Sequence, residues 1–155
     1  MRGLLIELDD PGRDDVRALL ERHLAFAFEH SPPEDVHALG LDGLRTPDVS
    51  FYSGRVDGTL LGVGALKQLD PAHGELKSMH TSAEARGQGI GRAIVDHLVA
   101  EARRRGYRRL SLETGSNEPF VPARTLYARA GFVVCGPFAD YELSDFSTFM
   151  TLDLS

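Results

Sequence analysis

The chain has 155 residues, 42% of them hydrophobic, and a formal net charge of −6 at pH 7, which predicts one domain over residues 1–155 with a buried core. This acidic balance argues against general nucleic-acid binding, because such proteins present a basic face. The single cysteine, Cys135, excludes an internal disulfide, and no apolar run has the length of a membrane span, so we expect a cytoplasmic protein without membrane contact.

The first part of the chain combines a short apolar run with two segments that have helix signals. Residues 3–8 are predicted to form a strand. Asp14 and Asp15 then begin a helix, since acidic residues favour a helix N-terminus. The apolar positions of this helix recur on one face: Val16, Leu19, Leu20 and Leu24. The order Ser31-Pro32-Pro33-Glu34 is typical of a helix start and predicts a short second helix within residues 31–40.

The rest of the chain is predicted to build most of a central sheet. Asp57-Gly58 indicates a tight hairpin turn between two apolar runs. The predicted strands are residues 49–56, 60–68, 74–81, 108–113, 132–135 and 149–154, and the predicted helices are 89–105 and 120–130. This order indicates an α/β (α+β) fold in which one mixed sheet carries helices on both faces.

The segment from Met79 to Arg92 is basic and glycine-rich, and it lies between a predicted strand and a long amphipathic helix. Glycines allow positive φ and a close approach to a ligand, and a helix N-terminus offers unpaired N–H groups, so this turn is suited to bind a diphosphate. A Walker-type loop is excluded, because no Gly-x-x-x-x-Gly-Lys-Ser/Thr string occurs. The dinucleotide motif Gly-x-Gly-x-x-Gly also fails, because Arg92 or Ile94 occupies its third glycine position.

What remains is Arg86-x-x-Gly89-x-Gly91 ahead of a helix, which resembles the pyrophosphate signature Gln/Arg-x-x-Gly-x-Gly/Ala of the GCN5-related N-acetyltransferases, the GNAT superfamily. A second landmark follows 36 residues after Gly91, where Ala123-x-x-Leu126-Tyr127-x-x-x-Gly131-Phe132 is similar to the family's Ala-x-x-Leu-Tyr-x-x-x-Gly-Phe. Further stretches resemble one bacterial subgroup of small-molecule acetyltransferases whose substrate is unassigned: residues 31–33, 74–79, 111–116 and 135–141.

The resemblance implies a GNAT-type fold and an acetyl-CoA-dependent transfer of the acetyl group directly to a primary amine. The expected fold has a central mixed, mostly antiparallel sheet of about six or seven strands, with about four helices on both faces and two strands splayed at the acetyl-CoA cleft. Acetyl-CoA would act as co-substrate. No metal is expected, which agrees with histidines that form no spaced ligand set.

The resemblance also assigns the acetyl-CoA contacts. Backbone amides of the glycine-rich turn would hold the pyrophosphate, and backbone groups at the end of the preceding strand would pair with the pantetheine arm. The expected binding residues are Met79, Thr81, Arg86, Gly87, Gln88, Gly89, Ile90, Gly91, Arg92 and Asn117. One departure concerns the asparagine that many members carry seven residues before the tyrosine. Phe120 stands there, so that polar contact is either missing or supplied by Asn117 or Ser116.

Amine acetylation requires two proton transfers, and three side chains are predicted to perform them. Tyr127 matches the family's general acid, because a phenol holds its proton at neutral pH and can donate it to a thiolate; the alternative is that it only packs under the cofactor. Two carboxylates are candidates for the base: Glu75, which strand alternation places on one face with Lys77 and Met79, and Glu113, near the point where the strands would splay. A third alternative is that no dedicated base is needed.

The acceptor site is expected to lie between the first half of the chain and the acidic segment 136–145. An aromatic and histidine wall would suit a small amine, although core packing explains these residues equally well: His23, Phe26, Phe28, His30, His37, Phe51 and Tyr52. Two other functions stay open, a protein or peptide N-acetyltransferase and a non-catalytic acyl-CoA-binding module. A homodimer that pairs residues 132–155 across a two-fold axis is a further option.

Overall fold

The computed structural model describes residues 3–155, and within them it has a seven-stranded sheet with helices on both faces. The strands and α-helices, in chain order, are β1 (Leu5–Leu8), α1 (Asp14–His30), α2 (Leu41–Leu44), β2 (Val49–Val56), β3 (Thr59–Asp70), β4 (His73–Thr81), α3 (Ile90–Arg104), β5 (Arg109–Gly115), α4 (Val121–Arg129), β6 (Val133–Cys135) and β7 (Ser147–Asp153). The predicted fold class is confirmed, and most predicted bounds agree within a few residues.

The strand order is β1-β2-β3-β4-β5-β7-β6, and in the described chain every neighbouring pair is antiparallel except β4 with β5. The hairpin between β2 and β3 turns at Asp57 and Gly58, whose φ angles are 51° and 82°. Two successive residues with positive φ are what a two-residue hairpin turn with the right twist requires. The sheet is therefore mixed and mostly antiparallel, as predicted.

The sheet buries a separate apolar cluster on each face. On one face α3 contributes side chains that recur at helical spacing: Ile90, Ile94, Val95, Leu98, Val99 and Ala102. On the other face α1 packs Val16, Leu19 and Leu20 against Phe51, Val63 and Ala65. These two clusters fix both helices against the sheet, and they leave the C-terminal half of α1 free to border the centre of the sheet.

The predicted second helix within residues 31–40 is wrong in extent, because only Pro33–Asp35 form a single 3-10 turn. The backbone N–H of Val36 closes that turn on the Pro33 carbonyl, and the chain is then extended. The carbonyl of His37, which a continuing helix would use internally, instead accepts a hydrogen bond from Lys77 Nζ at 3.0 Å. A contact from a distant strand therefore replaces the local helix.

Candidate active site

The sheet opens between its two parallel strands. Within the described chain, β4 and β5 pair only over His73–Glu75 and Arg109–Ser111, although both strands continue beyond these pairs. The pairing of β4 with β3 shifts between Val63 and Ala65, where Ser78 has a φ of 56°. A bulge bends the strand that carries it. Ser78 therefore marks the point at which β4 turns away from β5.

The bulge also changes which face later residues of β4 present. Glu75 and Lys77 share a face and form an ion pair at 3.4 Å. Met79 packs instead with the α3 cluster on the opposite face. The prediction that Glu75, Lys77 and Met79 share one face is therefore wrong for Met79, because one extra residue in a strand reverses the alternation.

The glycine-rich turn lies at the open end of the gap and leads directly into α3. Gly87 and Gly89 have φ angles of 77° and 81°, and Gly89 is the residue immediately before the helix. A Cβ at Gly91 would lie 3.1 Å from Leu126 Cδ2 and 3.5 Å from Thr81 Oγ1. The turn thus needs glycine for its backbone conformation, and it presents the N–H groups of the first helical turn beside the gap.

The gap forms a cleft of about 850 Å³ that is lined by many of the predicted site residues. Those that line it are Met79, Thr81, Arg86, Gly87, Gly89, Ile90, Gly91, Arg92, Glu113 and Tyr127. Gln88 is exposed and donates its side-chain amide to the Glu84 carbonyl at 3.3 Å. Arg92 contacts Asp96 at 2.9 Å and the Arg129 carbonyl at 3.3 Å, so its guanidinium is already held at the rim.

Asn117 does not line the cleft. Its side-chain amide donates to the His30 carbonyl at 2.7 Å and so holds the end of α1. Phe120, at the position where many family members have asparagine, does line the cleft. Its ring packs closely on Gly115, where an added Cβ would lie only 2.1 Å from Cδ2 of the ring. The polar contact predicted for Asn117 is thus replaced in the cleft wall by an aromatic ring.

Tyr127 and Glu113 face the same cleft from α4 and β5. Tyr127 is only 6% exposed, and its burial, together with the charge of Glu113, raises the pKa of its phenol above the ordinary value. Its hydroxyl makes no hydrogen bond to any of residues 3–155. Burial raises the pKa of Glu113 from 4.5 to about 7. A proton donor and a carboxylate with a pKa near neutrality therefore border one cleft, as acid and base catalysis requires.

Glu75 lies outside the cleft, in an adjoining acidic cavity of about 490 Å³. We call it the acidic cavity because its walls carry the carboxylates of Glu34, Asp35, Glu75, Asp140 and Glu142. Glu75 is buried, accepts a short hydrogen bond from the Tyr141 hydroxyl, and pairs with Lys77. Asp35 and His37 line both spaces, so the two spaces adjoin.

The expected aromatic and histidine wall is divided between the cleft and the cores. His23, Phe26 and His37 line the cleft. Phe51 and Tyr52 belong to the buried clusters, and core packing explains them. His30 stacks edge-on against Phe26 behind the wall, whereas Phe28 is 54% exposed on α1.

Two histidines in the cleft wall form a contact that the sequence did not indicate. His23 Nδ1 of α1 and His80 Nδ1 of β4 lie 3.2 Å apart, so one ring donates and the other accepts. Burial is the main cause that lowers the pKa of each from 6.5 to about 4. Between pH 6.5 and pH 4 these two histidines are therefore protonated in the unfolded chain but neutral in the folded protein. The free energy of unfolding consequently decreases as the pH falls from 6.5 toward 4.

We expect the His23→Asn variant to lose less stability between pH 7 and pH 5 than the wild type, by about 1 to 2 kcal/mol. Urea unfolding at both pH values measures this difference. The control is His97→Asn on α3, outside the cleft lining, which should keep the full loss. An equal pH dependence in His23→Asn and the wild type would contradict the buried neutral pair.

Comparison with known proteins identifies the family. A model described as "Acetyltransferase (GNAT) family" matches residues 13–132. The chain belongs to the GNAT acetyltransferase family. A Bacillus subtilis protein named uncharacterized N-acetyltransferase YsnE is 48% identical over 149 residues, which cover 96% of this chain and 99% of that protein. An IAA acetyltransferase of Azospirillum brasilense is 35% identical over 151 residues, which cover 97% of each chain.

A solved structure shows the same GNAT fold. The GNAT family acetyltransferase from Elizabethkingia anophelis, crystallised with acetyl-CoA bound, is similar with a TM-score of 0.72 over 99% of each chain at 17% identity. This chain is thus a GNAT N-acetyltransferase, and acetyl-CoA is the co-substrate of the family. Within residues 3–155 no group of three or more His, Cys, Asp or Glu could hold a metal ion, and no helix is long and apolar enough to cross a membrane.

The residues of this GNAT protein fit an acetyl-CoA co-substrate. The turn before α3 has the left-handed glycines and free helix N-terminus that a diphosphate requires. Ser78 has a buried Oγ that finds no hydrogen-bond partner among the described residues, and this residue lines the cleft. Such an atom is costly to leave unpaired and would be satisfied by a polar group of a bound ligand.

Proposed function

We propose that this GNAT enzyme transfers the acetyl group of acetyl-CoA directly to the primary amine of a small cationic molecule. The observation that carries the proposal is the acidic cavity, which adjoins the cleft and brings carboxylates from three parts of the chain to one space. Negative walls concentrate cations, and an ammonium group near the cleft could pass its proton to a neighbouring carboxylate.

Acetyl-CoA binding is assigned to the glycine-rich turn and to the end of β4. The backbone N–H groups from Gln88 to Gly91 would hold the diphosphate at the positive end of α3. Backbone groups of Met79 and Thr81, on the side of β4 that faces the gap, would hold the pantetheine arm. When bound, acetyl-CoA supplies the activated acyl group.

Glu113 is proposed as the general base. With its pKa raised to about 7, a useful fraction of Glu113 is ionised at neutral pH and is basic enough to accept a proton from the acceptor ammonium. Glu75 is less suited, because its carboxylate already accepts from Tyr141 and pairs with Lys77.

Tyr127 is proposed as the general acid. Its raised pKa keeps the phenol protonated across the neutral range, and the hydroxyl borders the cleft without a partner in residues 3–155. It would donate this proton to the thiolate that leaves when the acetyl group is transferred. The hydroxyl would then regain a proton from solvent or from the base.

A small acceptor is favoured over a protein, because the acidic cavity lies between two chain segments. Residues 34–37 form one wall and residues 139–144 form the other. The relative from Azospirillum brasilense is named for IAA and not for a protein. A pocket between two segments suits a molecule that fits between them, whereas a peptide needs an open groove along its length.

An acceptor screen tests this function. Purified enzyme with acetyl-CoA would be assayed for thiol release with putrescine, agmatine, tyramine, glutamate and a lysine-containing peptide. We expect the cationic amines to exceed glutamate by at least about tenfold in kcat/KM, because the acidic walls repel an anion. Activity on the peptide alone would indicate a protein acetyltransferase. Acetyl-CoA binding without thiol release for any acceptor would indicate a non-catalytic module.

A further inference from the structure

The ammonium group of Lys77 joins the two segments that border the acidic cavity. Its side chain is only 9% exposed. Nζ donates to the His37 carbonyl at 3.0 Å and to the Tyr141 hydroxyl at 2.8 Å, and it lies 3.4 Å from Glu75 Oε2. Two of the three ammonium donors are thus used in hydrogen bonds to residues 37 and 141, and the charge is balanced by Glu75. These contacts hold the Lys77 ammonium group in place between the two segments.

The two joined segments have little regular structure of their own. One contains His37, in the extended chain that follows the 3-10 turn Pro33–Asp35. The other contains Tyr141, within the long connection between β6 and β7. Segments without a helix or strand depend on side-chain contacts to keep one conformation. The contacts of Lys77 thus tie both walls to the rigid strand β4. The wall that contains Tyr141 is also held by the rings of Phe138 and Tyr141, which pack against Phe149 of β7.

The contact of Tyr141 with β4 is made through its hydroxyl group. It accepts from Lys77 and donates to Glu75, while its ring packs edge-on against the ring of His37, with centroids 4.9 Å apart. Phenylalanine could keep the ring packing but would lose both hydrogen bonds. The tie can therefore be cut at the hydroxyl without removing the apolar contact.

We infer that Lys77 is a positioning residue that fixes the separation of residues 34–37 and 139–144, and so sets which acceptors the enzyme accepts. The inference rests on the proposed function only for the location of the acceptor. The tie between the two segments and β4 stands on the contacts alone. Acetyl-CoA affinity should be unchanged when the tie is cut at Tyr141, because Tyr141 lines the acidic cavity and not the cleft, whereas Lys77 lines the cleft.

Hydrogen–deuterium exchange of the full chain tests the positioning role without any acceptor. In Lys77→Met, we expect amide exchange to increase by about tenfold or more in residues 34–40, as loss of a hydrogen bond to a charged group would produce, and to increase also in 136–146. In Tyr141→Phe, the increase should be confined to 136–146. The matched control is Lys67→Met, which removes a lysine from the wall of the same cavity and should leave both segments unchanged.

Unchanged exchange at residues 34–40 in Lys77→Met would overturn the inference. So would an increase of similar size throughout the chain, because that indicates general destabilisation. If Lys77→Met does not fold, Tyr141→Phe still tests the inference, because unchanged amide exchange of residues 136–146 in that variant would also overturn the inference.

Steady-state kinetics test the selectivity role with putrescine, agmatine and tyramine as probes. Lys77→Met and Tyr141→Phe should raise the acceptor KM by at least about tenfold and reduce the differences among the three amines. Tyr141→Phe should do so with an unchanged Kd for acetyl-CoA. An unchanged acceptor KM and unchanged ranking would overturn this role. If the wild type acetylates none of the amines, the proposed function fails, whereas the exchange experiment still decides the positioning role.

Discussion

Replacement of Glu113 by glutamine is expected to lower kcat/KM by about 10²- to 10⁴-fold, the range that a positioned general base contributes. The wild-type profile should rise with pH through a pKa of about 7, because Glu113 must be ionised to take the proton. In the variant this rise should disappear, and only the ionisation of the acceptor amine itself should remain. Initial rates of thiol release from pH 5.5 to 9 measure both effects.

The Glu75→Gln variant separates the two carboxylates that the sequence left open as bases. Glu75 borders the acidic cavity and is held by Tyr141 and Lys77. Its replacement should therefore change the acceptor KM and leave the rise near pH 7 in place. Loss of that rise in Glu75→Gln, with its retention in Glu113→Gln, would reverse the assignment.

Replacement of Gly89 by glutamate is expected to weaken acetyl-CoA binding by about 5- to 700-fold. Gly89 precedes α3, where a carboxylate would stand beside the site assigned to the diphosphate and repel it. Two like charges a few ångströms apart cost about 1 to 4 kcal/mol depending on the local dielectric, and each 1.4 kcal/mol is about tenfold in Kd. Calorimetric titration with acetyl-CoA measures the change.

Two controls separate the charge from backbone strain. Gly89→Ala introduces an uncharged side chain at a φ of 81°, where no atom lies within 4 Å, so it measures the effect of backbone strain alone and should weaken binding less than Gly89→Glu does. Gly106→Glu places the same side chain at a similar φ of 83° at the far end of α3, again with no atom within 4 Å, and should bind acetyl-CoA normally. Normal binding by Gly89→Glu would show that the turn has only a structural role.

The sequence predicts the parts of this molecule that depend on local rules. The hairpin at Asp57-Gly58 and the glycine-rich turn need particular backbone angles, and glycine and aspartate reveal such positions. The buried face of helix α3 can be predicted because its apolar residues recur at helical spacing from Ile90 to Ala102. Once the family resemblance is recognised, these elements lead to the strand order and to the position of the cleft.

The parts that the sequence does not reveal depend on distant contacts. Ser78 carries no local mark of a bulge, because its left-handed backbone is set by the pairing of β4 with β3. The contact of Lys77 with Tyr141 joins positions 64 residues apart, and that of Asn117 with His30 joins positions 87 apart. Only the folded chain brings these groups together, so the true partners of Asn117 and Glu75 could not be predicted. The sequence predicts the acidic segment 136–145 at the acceptor site, but not the carboxylates that complete the acidic cavity with it.

The opening between β4 and β5 divides the sheet into two halves, which in the described chain are joined only by the pairs from His73–Arg109 to Glu75–Ser111. Beyond these pairs, each half has a strand edge whose backbone groups would be hydrogen-bonded in a continuous sheet. A pantetheine arm that lies between them would act as a short interior strand and complete the sheet. The co-substrate would then be a transient structural element as well as a reactant, and each turnover would remove and restore part of the fold.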